Sequence, residues 1–331
     1  MNVLILPCHS ILEYDEYLLF KSMGHSVFSL GSYINPRYPH DPKRPAIDDE
    51  PIERFLRLAE THTKDNLHEE WIEWADVIVV HHVGRWIIQN WHKMRHKRVI
   101  WRTIGQSLAH TEEELAPLRA DGLQIVRYSP KEKNIPGYIG EDAMIRFYVD
   151  EDEYKGWTGK NERVMTMIQD VPHRRDFVKY DYFERATRDI DRVLFGPDNE
   201  TVTDVTLGGV PDHSMLKKEL RTNRVFFYTG TAPASYTLGF MEALATGIPI
   251  VGIGPKIANN IFDLDLYEVG ELITNGVDGY IFDDEGELAF YTKELINDYE
   301  LAKRIGAAGR QRAIELFGKQ TIKSQWEQFL S

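Results

Sequence analysis

Short apolar runs alternate with longer amphipathic stretches through the first half of the chain, the rhythm of a parallel sheet wrapped by helices. Val3 to Leu6 reads as a strand, Glu13 to Met23 as a helix that stops near Gly24, and Ser26 to Leu30 as a second strand. The proline- and charge-rich stretch Asn35 to Pro51 reads as a surface loop, followed by a helical segment, Ile52 to Trp74, and the apolar strand Asp76 to His81. Val99 to Thr103 and Leu123 to Tyr128 complete the strands of this half. Near residue 145 the rhythm breaks: Ala143 to Val149 is extended, and Asp150 to Lys160 is acidic and carries two glycines. It then restarts with strand Val164 to Ile168, helix Tyr182 to Thr187, strand Arg192 to Phe195, helix Ser214 to Leu220 and strand Val225 to Tyr228. Helix Thr237 to Thr246, strands Pro249 to Ile253 and Gly279 to Phe282, and two terminal helices, Glu287 to Phe317 and Lys319 to Leu330, finish the pattern. The expected organisation is a doubly wound α/β domain over 1–148, a second over 149–316, and a last helical segment over 317–331.

A chain of 331 residues exceeds what one hydrophobic core usually organises, which supports two domains. No apolar run approaches the roughly 20 residues of a membrane span, and the opening Met1 to Leu6 lacks a basic leader region, so a cytoplasmic protein is expected. Cys8 is the single cysteine; with no second thiol it forms neither an internal disulfide nor a zinc site, and a small buried side chain is expected. The formal net charge of −13 repels phosphate backbones at long range and leaves nucleic acid only as an acceptor substrate.

The sharpest local signal is the run from Tyr228 to Val251, in which a strand end leads through a loop of small residues into a helix. That geometry presents free backbone N–H groups and the positive end of the helix, which can hold a diphosphate without a metal. Ser235 and Thr237 add hydroxyl donors, and Thr231, Tyr236 and Leu238 complete the candidate set. Glu242, five residues beyond Thr237, carries a carboxylate suited to accepting both hydroxyls of a ribose. The plainer alternative is that Ser235 or Thr237 merely caps the helix and Glu242 faces solvent.

This run resembles the donor-binding segment of retaining GT-B glycosyltransferases, in particular glycosyltransferase family four. Gly247-Ile-Pro-Ile-Val251 resembles the strand that follows, and Gly270 to Phe282 the family's turn with Glu271, Gly276 and Gly279 in order. Ile145 to Asp150 is similar to the interdomain linker, and Phe317 to Leu330 to the terminal helix that crosses back to the first domain. The resemblance implies two Rossmann-like doubly wound domains facing a cleft, the second binding the nucleotide-sugar donor and the first the acceptor. The family pairs two glutamates eight residues apart; Glu242 matches the second, while Ala234 stands at the first, which leaves the reading of the donor sugar open.

The resemblance also implies a basic pair on the leaving diphosphate, placed here at Arg174 or Arg175, with Lys179 as a second cation. Leu207 and Gly208 would lie against the nucleobase, although a glycine-bearing hairpin edge would look the same. In the first domain His82, or His81, stands for the family's histidine; His9, Ser10, Thr103, Gly105 and Gln106 are candidate acceptor contacts, with Glu13, Tyr14 and Asp15 at the rim. Asp263-Leu-Asp265 spells a metal-binding motif by chance, so no catalytic metal is expected, and the basic stretch His92 to Arg98 reads equally well as a helix end. The implied activity is metal-independent transfer, with retention, of a hexosyl or pentosyl group from a UDP- or GDP-sugar to an acceptor hydroxyl, with no separate cofactor. A glycan, a lipid-linked sugar, a small metabolite or a modified DNA base would serve as acceptor. A non-catalytic nucleotide-sugar-binding protein and a GT-B epimerase or hydrolase are the alternatives; turnover separates the first from a transferase, and acceptor-independent release of nucleotide with sugar epimerisation would mark the second. Acceptor identity and oligomeric state are left open.

Overall fold

A computed structural model describes residues 1–31, 43–45, 47 and 53–331. The chain forms two compact units, Met1–Tyr148 with Ile322–Ser331, and Val149–Thr321. The stretch Asn35 to Pro51 falls outside the described residues except at 43–45 and 47.

The first unit contains β1 (Asn2–Leu6), α1 (Ser10–Ser22), β2 (Ser26–Ser29), α2 (Glu53–Ala59), α3 (Glu69–Trp74), β3 (Val77–His81), α4 (Gly84–Met94), β4 (Arg98–Arg102), α5 (Ala109–Ala120), β5 (Gln124–Arg127) and β6 (Ala143–Met144). Its six strands are parallel in the order β2-β1-β3-β4-β5-β6. Strand alternation divides the core. Leu4, Leu6, Ile78 and Val80 pack with Phe28, Phe55 and Trp71, while Val3, Ile5, Val77 and Val79 pack with Phe20, Ile322 and Trp326 on the opposite face. Helix α1 starts at Ser10, three residues before the expected Glu13. Glu13 is therefore buried inside the helix, where it accepts the Ser29 hydroxyl at 2.5 Å, and Asp15 pairs with Arg44, so neither is a free rim residue. The segment Ile52 to Trp74 is two helices rather than one, separated by the polar turn Thr63 to Asn66. Cys8 is exposed, not buried.

A charged cluster is sealed beneath the carboxyl end of this sheet. Glu16, His81 and Arg102 are at most 1% exposed; His81 Nε2 lies 2.7 Å from one Glu16 oxygen and Arg102 Nε donates to the other at 2.9 Å. Burial alone would push the Glu16 carboxyl up, but Arg102 and His81 outweigh it and hold the group below the usual glutamate range.

The second unit contains β7 (Asn161–Met167), α6 (Val171–Arg174), α7 (Tyr180–Ala186), β8 (Arg192–Phe195), β9 (Thr206–Gly209), α8 (His213–Thr222), β10 (Asn223–Tyr228), α9 (Leu238–Thr246), β11 (Ile250–Ile253), α10 (Pro255–Ala258), α11 (Val269–Leu272), β12 (Tyr280–Phe282), α12 (Glu285–Asn297) and α13 (Tyr299–Phe317). Helix α14 (Lys319–Leu330) follows; from Ile322 onward its residues belong to the first unit. The strands are again all parallel, in the order β12-β11-β10-β7-β8-β9. β8 and β9 therefore do not form the hairpin edge that their glycines also allowed. The expected helix Glu287 to Phe317 is broken at Asp298, whose extended backbone ends α12 while its carboxylate accepts the Leu301 N–H at 2.9 Å and starts α13.

Helix α9 ends at Gly247 in a left-handed conformation, φ 86°. Helix α13 crosses against that end so closely that a Cβ built on Gly306 would stand 2.0 Å from the Gly247 carbonyl oxygen. Gly306→Ala is expected to cost about 1–3 kcal/mol by forcing the helices apart. Chemical denaturation checks this, and an unchanged midpoint would mean that α13 yields without cost.

Candidate functional site

In the second sheet the chain winds outward in opposite directions from β7, so the strand order reverses between β7 and β10. The carboxyl ends of two such strands open a crevice because their following loops leave in opposite directions. Arg174, Arg175 and Lys179 lie on the connection after β7, and Thr231, Ser235, Tyr236, Thr237 and Leu238 on that after β10. The fold thus brings these two sequence-distant groups to one end of one sheet.

The connection after β7 is pinned by Asn199. Its amide oxygen accepts the Val171 N–H at 2.9 Å, and its nitrogen donates to Ile168 O at 2.7 Å and Gly196 O at 3.1 Å. Arg174 is half-buried and its guanidinium has no partner among the described residues, whereas the exposed Arg175 donates to Asp181 at 2.5 Å and lies over the Tyr180 ring. Lys179 is buried in a left-handed conformation, φ 52°, and its ammonium donates to Asn260. Desolvation pulls its pKa below the usual lysine value, with Asp176 opposing.

The two connections touch: the Ala232 N–H donates to Phe177 O at 3.0 Å. Lys179, Thr229, Thr231, Ala234, Asn259 and Tyr267 line one recess between them and the segment after β11. Thr237 caps α9 by backbone conformation alone, with no side-chain cap bond, and the N–H groups of Leu238 and Gly239 meet no acceptor among the described residues. A Cβ on Gly239 would sit 3.4 Å from Met167, which places this helix start beside the end of β7. Free N–H groups and the positive end of a helix favour an anion, and Arg174 and Lys179 lie on the neighbouring connection. Ser235 and Tyr236 are buried, and the Ser235 carbonyl accepts the Glu268 N–H at 3.0 Å. Glu242 is buried on α9 and accepts the Tyr154 hydroxyl at 2.9 Å. Leu207 is exposed on the edge strand β9, and Gly208 leaves room for the Phe195 ring, which a Cβ would meet at 2.1 Å.

In the first unit the order reverses between β1 and β3. His9 and Ser10 follow β1, where His9 caps α1 through its backbone, and His82 follows β3. His82 is half-buried at φ 52°; its carbonyl accepts the Trp101 indole N–H at 2.9 Å, and burial, then His110, lower its pKa. His81 is spent on Glu16. Thr103 is fully buried and donates its hydroxyl to Glu132 at 2.7 Å; Gly105, φ 79°, leaves space for the Tyr128 ring; Gln106 is exposed. The basic stretch is consumed locally, with Lys93 on Asn66, His96 and Lys97 on Glu73, and Arg98 on the last carbonyls of α14. No cluster of three or more potential metal ligands occurs among the described residues.

Several residues escaped the sequence reading. Tyr154, Asn260 and Tyr267 carry no signal of their own, because each acts through a partner 81 or 88 positions away or through burial. Glu132, in the 3-10 turn after β5, is likewise visible only in three dimensions. Burial pushes its carboxyl up to about 7, although Arg127, the Thr103 hydroxyl and the Tyr128 and Ser129 N–H groups pull it down.

No protein-family model matches the chain, and no curated protein does. Its fold is that of the GT-B glycosyltransferases, a likeness that covers the whole chain. A sucrose-phosphate synthase of Thermosynechococcus elongatus superposes with a TM-score of 0.69 at 13% identity, over 100% of this chain and 98% of the other. A glycosyltransferase of Rickettsia africae ESF-5 gives 0.68 at 13% identity, over 100% and 98%. HepE of Anabaena, in complex with UDP and glucose, gives 0.65 at 13% identity, over 100% and 99%.

Folded Glu132 keeps a proton that the unfolded chain releases near pH 4.3, so its contribution to stability is present at low pH and lost as pH rises to about 7. The slope over that window reaches about 1.4 kcal/mol per pH unit. Urea unfolding of the parent and Glu132→Gln chains from pH 4.5 to 8 is expected to show the decline in the parent alone; parallel curves would refute the assignment.

Proposed function

We propose that this protein is a glycosyltransferase that moves a sugar from a nucleoside diphosphate, UDP in the first instance, to an acceptor hydroxyl with retention at the anomeric carbon. What supports the reading is the placement, on the two connections that part at the β7/β10 reversal, of Arg174, whose guanidinium has no partner among the described residues, the desolvated Lys179 and the start of α9, which has no side-chain cap. Cationic side chains and fixed N–H groups at that point stabilise charge on a leaving diphosphate without calling on a metal ion. The UDP-bound state of HepE, on the same fold, supports uracil as the base. Arg174 is the principal cation, since Arg175 is held by Asp181, and Lys179 assists it. Glu242 is assigned to the ribose, reached by exchanging the Tyr154 hydroxyl for ribose hydroxyls. Leu207 and Gly208 flank the base, and His82, His9, Ser10 and Gln106 form the acceptor side. A cytoplasmic setting, where nucleotide sugars are made, goes with this activity.

A thermal-shift panel of UDP, GDP, ADP, CDP and TDP with their sugar conjugates tests the donor class, because a ligand selective for the folded state raises its apparent stability by mass action. UDP and its conjugates are expected to stabilise the parent and to lose that effect in Glu242→Ala; a panel without any shift would sink the transferase reading. Arg174→Ala is expected to reduce turnover at least 10²-fold, about 2.7 kcal/mol of transition-state stabilisation, with Arg175→Ala near the parent rate. The reverse order would exchange the two roles.

A further inference from the structure

Tyr154 stands outside every helix and strand, in a turn whose last N–H returns to Asp150 O at 3.1 Å, yet it is only 3% exposed. Its main chain is tied to the helix that carries Glu242. The Arg310 guanidinium donates to Tyr154 O, to Ala245 O, three residues beyond Glu242 on α9, and to Glu151 O at 2.7 Å. Arg221 donates to the carbonyls on either side of Tyr154, Glu153 O at 2.8 Å and Lys155 O at 2.6 Å. From a backbone fixed in the frame of α9, the phenol reaches one Glu242 oxygen and donates to it at 2.9 Å.

Glu242 is 3% exposed, so no ribose meets its carboxylate while these surroundings stand as they are. The phenol is the group able to yield. It turns about its own side-chain bonds while Arg310 and Arg221 keep the main chain in place, whereas α9 is buried from Phe240 to Thr246. We infer that Tyr154 is an internal stand-in for the ribose: in the empty site its hydroxyl holds the Glu242 carboxylate in orientation, and a ribose displaces it. Each binding event then breaks the bond from Tyr154 to Glu242, so the nucleotide is held less tightly than its ribose contacts alone would hold it. The spent nucleoside diphosphate leaves more easily as the phenol returns. The inference rests on the assignment of Glu242 to the ribose and adds what controls access to that carboxylate.

Calorimetric titration of the parent and Tyr154→Phe chains with UDP and with 2′,3′-dideoxy-UDP tests it. UDP is expected to bind Tyr154→Phe about ten-fold more tightly, the worth of one hydrogen bond to a charged group. Dideoxy-UDP, which has no ribose hydroxyl to displace the phenol, is expected to bind both chains alike. A UDP affinity unchanged or weakened by the substitution, or an equal gain for both nucleotides, would overturn the inference and leave the donor-site reading standing. 3-Fluorotyrosine in place of Tyr154 gives a second readout that keeps the hydroxyl. Its fluorine resonance is expected to move with UDP and to stay in place with dideoxy-UDP, and a resonance indifferent to bound UDP contradicts the inference as well. No binding of UDP to the parent, or binding that Glu242→Ala leaves unchanged, would remove the donor-site reading and the inference with it.

Discussion

The reversal of strand order at β7 and β10 is the constraint from which the candidate site follows. Parallel strands need crossovers, and because β7 is followed outward on one side by β8 and β9 and on the other by β10, β11 and β12, two loops must part above its end. The chain uses one loop for cations and the other for an uncapped helix start. The proposed anion site draws on both. The bond from Ala232 to Phe177 O ties the two loops together.

Rigidity around this end comes from residues with no direct chemical part. Asn199 closes three backbone bonds that would otherwise be orphaned at the ends of β7 and β8. Gly306 lets α13 reach the end of α9, fixing the helix whose other end meets the site. The first unit uses a different device, buried ion pairs. Arg127 forms a bidentate pair with Glu112, and Arg102 with His81 satisfies Glu16, so charge is sealed under the carboxyl end of the sheet rather than displayed there. That is why residues expected to face a ligand, His81 and Thr103, are turned inward: each is the hydrogen-bond partner of a buried carboxylate.

The fold was legible because parallel strands buried on both faces leave near-continuous apolar runs, and strand Arg192–Phe195 and helix Lys319–Leu330 lie where the pattern puts them. Helix starts were less legible. The start of α1 at Ser10 is set by a backbone cap without a side-chain signal, and the break at Asp298 depends on one local carboxylate bond inside an otherwise helical pattern. The small-residue loop before α9 was legible as a motif, yet the difference between Arg174 and Arg175 was not, since Asp181 captures Arg175 and Arg174 meets no partner among the described residues.

The sequence by itself determined two α/β layers, their strand rhythm and the small-residue loop before α9, since each depends on local periodicity and on residues within one turn of one another. Tertiary structure alone decided which side chains are free to act. Glu242 meets Tyr154, 88 positions away, and Lys179 meets Asn260, 81 away. Glu132 gains its unusual proton affinity from burial, which the folded chain alone provides. Burial and long-range pairing set the charge and availability of a group, and no local pattern encodes either.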